Sequence, residues 1–163
     1  MRGIVPKIFA AWRRPRQVMR AILADGQRED RALATLLGAA TILFIAQWPR
    51  LSREAHLNPE VPLEATMAIT LFALLFLAPL LFYTLAAASH LVARAFGGRG
   101  RFYGARMALF WSLLATAPWV LFQGLIAGFV GPGAALSVVS LAVFAAFAVQ
   151  WGACLRVAEF EDM

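Results

Sequence analysis

Residues 107–154 read MALFWSLLATAPWVLFQGLIAGFVGPGAALSVVSLAVFAAFAVQWGAC and contain no Asp, Glu, Lys or Arg. The tight turn Gly131-Pro132-Gly133 divides them into two apolar segments, 107–130 and 134–154. The second segment is about 31 Å long as an α-helix, which matches the hydrocarbon thickness of a bilayer. Because the turn is so short, the two helices must be antiparallel neighbours. This stretch therefore predicts a transmembrane helical hairpin.

Two further apolar segments, 32–48 and 65–88, lie upstream, and the second can continue as helix to Arg94. The whole chain of 163 residues is 61% hydrophobic and 15% charged, whereas soluble proteins are about 25% charged. We expect an all-α, polytopic membrane bundle of about four transmembrane helices with an N-terminal interfacial amphipathic helix. Pro79 and Pro118 lie inside the second and third spans and predict kinks there.

The first 30 residues form a basic arm ahead of the first span. Apolar residues recur at helical spacing through residues 2–25, and Arg13, Arg16 and Arg20 lie on or beside the polar face, where they can reach lipid phosphates. This pattern predicts a helix in the membrane interface; the alternative is a helix that docks on a partner. We therefore divide the chain into the cytoplasmic arm 1–30, the transmembrane domain 31–155 and a short cytoplasmic tail 156–163.

The distribution of charge predicts the orientation. Thirteen of the 15 Lys and Arg residues fall in the arm (including Arg2), in the loop between spans two and three, and in the tail, whereas Arg50 and Arg53 occupy the first loop. The positive-inside rule then places both termini in the cytoplasm. The net charge of +6 is thus explained by anionic lipid beside the cytoplasmic loops, and we expect no nucleic-acid partner. A bacterial inner membrane is the expected location.

Polar side chains within or beside the spans are the candidate functional residues. His90 and Arg94 are four residues apart near the end of span two, and basic residues Arg99 and Arg101 follow in the next loop. These four predict a lipid-headgroup, anion or proton site, although His90 and Arg94 are also typical of side chains that snorkel to the interface. Glu64 at the start of span two fits ordinary complementation of the helix dipole, with proton binding as the alternative.

Span three carries a packing pattern. Gln123 lies deep within it and predicts an interhelical hydrogen bond. Gly124 and Gly128 form a GxxxG motif, which permits close approach of another helix. That helix is either span four of the same chain or a helix of another molecule.

Residues suited to catalysis are sparse. The two histidines, His56 and His90, are far apart in the chain, and Cys154 is the only cysteine. No metal-ligand spacing, phosphate-binding loop or nucleophile motif occurs. We therefore expect no enzyme, no metal and no cofactor.

Residues 95–106, AFGGRGRFYGAR, are followed by Phe110-Trp111-Ser112 and Pro118. This region resembles the central hairpin of bacterial Yip1-domain membrane proteins, in which a glycine-rich loop leads into a span with a proline near its middle. The basic arm that starts a helix at Pro15 is similar as well. The chain departs from eukaryotic members in having four expected spans rather than five, and in lacking their Asp-Leu-x-Gly-Pro and Gly-Tyr signatures. The resemblance implies a membrane-shaping, trafficking or scaffold protein without known catalysis.

The favoured hypothesis is therefore a non-catalytic scaffold, accessory subunit or membrane-organising factor. Its partners would be anionic lipid headgroups at the cytoplasmic face and other integral membrane proteins or further copies of itself. The alternative is a small transporter or channel subunit, which requires a polar path that brings together Glu64, His90, Arg94 and Gln123.

Overall fold

The computed structural model describes residues 3–161; Arg2 and the last two residues of the predicted tail lie outside this range. Residues 3–161 are almost wholly helical and contain no strand. The elements are α1 Ile4–Arg13, α2 Pro15–Ala24, α3 Glu29–Leu57, α4 Leu63–Phe72, a π-helical segment Ala73–Leu77, α5 Ala78–Ala95, α6 Phe102–Phe129 and α7 Ala134–Phe160.

Four helices are long and apolar enough to cross a membrane: α3, the continuous helix Leu63–Ala95, α6 and α7. We call Leu63–Ala95, which comprises α4, the π segment and α5, the second span. The predicted all-α class and the four predicted spans are confirmed, and the chain is a multi-pass membrane protein.

Helix α6 is the centre of the bundle and packs against α3, α5, α7 and α1. Its first half is almost completely buried, from Tyr103 to Ala117, because the small residues Gly104, Ala105 and Ala108 allow neighbours to approach closely. Helix α3 runs parallel to α6, while α5 and α7 run antiparallel to it. The main core therefore lies around the first half of α6.

The bundle has two chemically different ends. The basic end contains α2, the loop 96–101 and the last turns of α7, and the distal end contains the loops 58–62 and 130–133. Arg53 on α3 donates to the carbonyl of Gly128 at the distal end of α6 (3.3 Å). A cation at a helix C-terminus is favourable for the helix dipole, which gives Arg53 a structural role.

Three helices extend beyond the bounds expected from hydropathy. Helix α3 passes through Pro49 and ends at Leu57, so the prediction that the first span ends at residue 48 is wrong. Helix α6 begins at Phe102, five residues earlier than expected. Helix α7 continues to Phe160, so much of the predicted tail 156–163 is helical. In each case the extra turns carry polar side chains that hydropathy alone excludes from a span.

The two prolines within spans have different local settings. Pro79 is the second residue after the π segment Ala73–Leu77. Proline has no N–H, so the carbonyl four residues before it loses its α-helical hydrogen bond. A π turn allows the N–H of a later residue to bond to that carbonyl instead. Pro118 lies within the continuous α6 on its exposed side. The irregularity at Pro79 is thus a change of helix type.

The N-terminal arm consists of two short helices that pack on the bundle. The indole Nε1 of Trp12 donates to the carbonyl of Ala115 on α6 (3.0 Å). Met19 and Ile22 of α2 are buried in the main core. The apolar residues Ile4, Val5 and Phe9 of α1 are more than half exposed. The expected interfacial position of this arm stays a prediction.

Candidate functional site

A buried polar pair joins two spans at the basic end. Nδ1 of His90 on α5 lies 2.7 Å from Oε1 of Glu159 on α7, and both side chains are completely shielded from solvent. The ring of Phe102 covers the imidazole at 4.2 Å between centroids. The snorkelling interpretation of His90 is therefore wrong, since its polar atom turns into the protein and bonds a carboxylate.

The basic loop 96–101 is fastened to the same glutamate. The amides of Arg99 and Gly100 both donate to the main-chain carbonyl of Glu159, at 2.7 and 3.2 Å. A Cβ at Gly100 would collide with the carbonyl of Ala158 and approach Oε2 of Glu159. Glycine is thus required for the loop to lie against α7. Glu159 holds α5 with its side chain and the loop with its backbone.

A groove of about 780 Å³ opens beside this loop. We call it the basic groove. Its arginines are Arg20 from α2 and Arg99 and Arg101 from the loop, and its wall includes Leu23, Ala24, Gly26, Gln27, Gly100, Tyr103, Gly104, Ala158 and Glu161. Three of the predicted anion-binding residues are therefore brought together here.

One of these arginines already has a carboxylate partner. Nε and Nη2 of Arg20 donate to the two oxygens of Glu161, at 2.5 and 3.0 Å. The hydrogen bonds from Arg20, together with its positive charge, hold the pKa of Glu161 below its ordinary value. The same hydrogen bonds and the negative charge of Glu161 raise the pKa of Arg20. Arg99 and Arg101 have no carboxylate within ion-pair distance among residues 3–161. The groove therefore carries unneutralised positive charge.

The remaining predicted anion-binding residues lie elsewhere. Arg94 and Arg16 are exposed and are not part of the basic groove. Arg13 lines a second groove of about 780 Å³ with Phe9, Trp12, Pro118 and Trp119. The rings of Trp12 and Trp119 meet edge to face with centroids 5.8 Å apart. His90 and Arg94 share a helix but not a site, because one is buried and the other points outward.

The GxxxG motif makes its close contact within the chain. A Cβ at Gly124 would collide with the backbone of Ala46, and one at Gly128 would collide with Pro49. Both contacts are to α3, so neither of the expected partners, span four or another molecule, faces these glycines. The missing Cβ atoms let α3 and α6 approach at backbone distance.

Gln123 forms the interhelical hydrogen bond that its position predicts. Its Nε2 donates to Oγ of Ser140 on α7 (2.9 Å). Glu64 is exposed in the first turn of α4. The structure does not bring together in one cavity the four residues of the predicted polar path, Glu64, His90, Arg94 and Gln123. The polar path required for the transport alternative is not assembled from these four residues.

The two polar features of the basic end differ in their access to solvent. Within residues 3–161, no group of three His, Cys, Asp or Glu residues is placed to hold a metal ion. The buried pair His90–Glu159 is sealed by Phe102 and the loop. The basic groove, by contrast, is open and presents cations that are able to form charge-assisted hydrogen bonds with an anion.

Three features of the site escaped sequence analysis. Hydropathy places Glu159 in the tail because the apolar segment ends at Cys154, whereas α7 continues to Phe160. Tyr103 carries no sequence signal beyond its place in the segment 95–106. The contact of Trp12 with Ala115 spans 103 residues, and no local pattern indicates it.

A scan against protein-family models and searches of curated proteins and solved structures gave no match to this chain. The resemblance to Yip1-domain proteins stays a hypothesis that rests on residues 95–106 and the positions that follow them.

Proposed function

We propose that this chain is a non-catalytic scaffold or accessory subunit that works through lateral contacts with other membrane proteins and with lipid. The observation that carries the proposal is the uncovered part of the second span ahead of Ala86. In its most apolar 18-residue window no residue is buried, whereas the corresponding windows of the other spans are each partly buried. A helix that the chain itself leaves open is available to a partner helix.

The exposed surface of the second span has features of a packing face. Phe72 and Phe76 stack with their centroids 5.1 Å apart, and more than half of each side chain is exposed. Phe76 lies in the π segment, a rare element that is frequent at functional sites. Leu80 and Leu81 continue the exposed apolar surface toward the basic end.

The orientation belongs to the same proposal. The arm, the loop 96–101 and the end of α7 gather most of the cations at one end of the bundle. The positive-inside rule supports a cytoplasmic position for this end and for both termini. A bacterial inner membrane and Yip1-like membership are proposed on the charge distribution and on the residue pattern 95–106.

A second candidate function is supported by a cleft between α3, α6 and α7. Gln47, Arg50, Gln123 and Ser140 line a space of about 370 Å³ near the distal end. A small polar solute would find amide, hydroxyl and guanidinium groups there. A Ser140→Cys variant in a Cys154→Ser background tests this alternative. If the cleft binds a solute, one specific solute must slow the labelling of the new thiol by a water-soluble maleimide.

Photo-crosslinking in native membranes tests the scaffold proposal. A photoreactive amino acid at Phe76 is expected to give discrete adducts with one or a few membrane proteins. The same group at Leu109, which is completely buried, is the matched control and is expected to give only crosslinks within the chain. Exclusive formation of lipid adducts at Phe76 and at Leu80 would overturn the scaffold proposal.

A further inference from the structure

The N-terminus of α6 opens into the basic groove. Arg101 is the N-cap residue, and no side chain caps the helix. The amides of Gly104 and Ala105 donate to the carbonyl of Arg101, while the earlier amides of a helix have no intrahelical acceptor. A helix of 28 residues also presents the positive end of its dipole here. Such a terminus favours an anion, most commonly a phosphate.

A buried hydroxyl at the same place lacks a partner. Tyr103 is 4% exposed and lines the basic groove. Its Oη is buried and has no hydrogen-bond partner among residues 3–161. Buried hydroxyls are nearly always hydrogen-bonded in native proteins. This orphaned donor is therefore an observation independent of the helix terminus, and it indicates a ligand that accepts a hydrogen bond.

The charges around the groove select an anion. Arg99 and Arg101 immediately precede α6 and line the groove without carboxylate partners in the described part of the chain. Glu161 is the one carboxylate in the lining, and Arg20 holds it with two hydrogen bonds. The Glu159 carbonyl fixes the amides of Arg99 and Gly100, so the backbone that carries Arg99 is already positioned in the absence of a ligand.

The apolar part of the wall distinguishes a lipid from a free anion. Leu23, Ala24 and Ala158 line the groove beside the arginines. The groove also lies at the end of a transmembrane bundle, the level at which phosphates of lipid headgroups occur. An amphiphile with a phosphate and acyl chains matches both halves of this surface.

We propose that the basic groove binds the phosphate of an anionic phospholipid, with the α6 N-terminus, Tyr103 Oη, Arg99 and Arg101 as its ligands. The inference rests on the proposed membrane function and specifies the lipid contact. Arg20 and Glu161 close the far side of the groove as an ion pair. Leu23 and Ala24 of α2 supply apolar contact for the glycerol and the first acyl carbons.

Native mass spectrometry of the full chain in detergent, titrated with phosphatidylglycerol, tests the site. Wild-type protein is expected to bind one molecule saturably and to bind phosphatidylcholine more weakly. The double substitution Arg99→Gln and Arg101→Gln is expected to weaken phosphatidylglycerol binding about tenfold, because two charge-assisted hydrogen bonds are lost. Tyr103→Phe is expected to weaken it roughly threefold and to leave the fold intact, since the hydroxyl has no partner within the described residues.

The matched control is Arg50→Gln, which removes an exposed arginine at the distal end. Unchanged phosphatidylglycerol binding by this variant supports the site, whereas an equal loss in Arg50→Gln and in the double variant overturns it. Inorganic phosphate that displaces the lipid at similar concentration would identify a free-anion site and overturn the lipid assignment. Loss of saturable lipid binding with intact crosslinks at Phe76 would refute this inference alone and leave the proposed scaffold function standing.

Discussion

Nδ1 of His90 and Oε1 of Glu159 lie 2.7 Å apart in a place that solvent does not reach. The two residues are 69 positions apart in the chain and connect α5 to α7, two helices that otherwise touch only sparsely. A single polar contact therefore joins the second and fourth spans at the basic end.

Removing either partner of the His90–Glu159 pair should destabilise the fold. The variants His90→Leu and Glu159→Leu are each expected to lose about 3–5 kcal/mol of stability, because the remaining polar group stays buried without its partner. The double variant should lose less than the sum of the two single losses, with a coupling energy of about 1–3 kcal/mol. Unfolding in mixed micelles of increasing dodecyl sulfate fraction, followed by circular dichroism, measures all three. Additive losses would contradict a direct interaction.

The contact between α3 and α6 depends on the absence of a side chain at Gly124. Gly124→Ala is expected to cost about 1–3 kcal/mol, because the new methyl group meets the backbone of Ala46 and forces the helices apart. Gly38→Ala on α3 is the control, since open space surrounds its Cβ position; it should be neutral or stabilising by up to about 1 kcal/mol. The same unfolding assay separates the two variants, and equal effects would exclude close packing at Gly124.

Docking of α1 depends on the indole N–H of Trp12. Trp12→Phe keeps most of the ring packing but removes the hydrogen bond to the Ala115 carbonyl, which should weaken docking by about 1 kcal/mol. Amide hydrogen exchange in residues 4–13 is therefore expected to become about fivefold faster, the change in opening equilibrium that corresponds to this energy. The control is Trp48→Phe, whose ring is half-exposed and packs on Phe44. It should leave exchange in the arm unchanged.

Acid should loosen the contact between α2 and the end of α7, while Met19 and Ile22 keep α2 in the core. The hydrogen bond from Arg20 holds the pKa of Glu161 below its ordinary value of 4.5, so the ionised carboxylate favours the docked arrangement. This contribution is complete above pH 4.5 and is lost as the pH falls through the lowered pKa. The distance between spin labels at Gln17 and Gly152, measured by electron spin resonance, is expected to increase in that acidic range. Arg20→Gln should abolish this pH-dependent change in distance. If the change persists in this variant, a group other than Glu161 causes it.

The spans were predictable from sequence because hydropathy reports them directly, but their ends were not. Pro49 is the clearest example. Proline inside a helix removes a hydrogen bond and crowds the preceding turn, so the sequence placed the end of the first span there. The structure compensates by packing Pro49 against Gly128, a contact between residues distant in the chain. Helix α3 therefore continues for two further turns.

The candidate site was predictable only in part. The arginines of the basic groove followed from charge clustering at the predicted cytoplasmic side. The burial of His90 was not predictable, because its environment depends on Glu159 and Phe102, which reach it from other helices. The position of Tyr103 at the groove likewise depends on α6 starting five residues earlier than its apolar pattern indicates.

The central position of α6 has a consequence for the order of assembly. Helix α3 makes most of its contacts with α6 and fewer with the second span, yet α3 and the second span both precede α6 in the chain. During synthesis from the N-terminus, the first two spans therefore enter the membrane before their common neighbour exists. The core closes only when residues 102–129 arrive, so a nascent chain that stalls before Phe102 leaves α3 without its main partner.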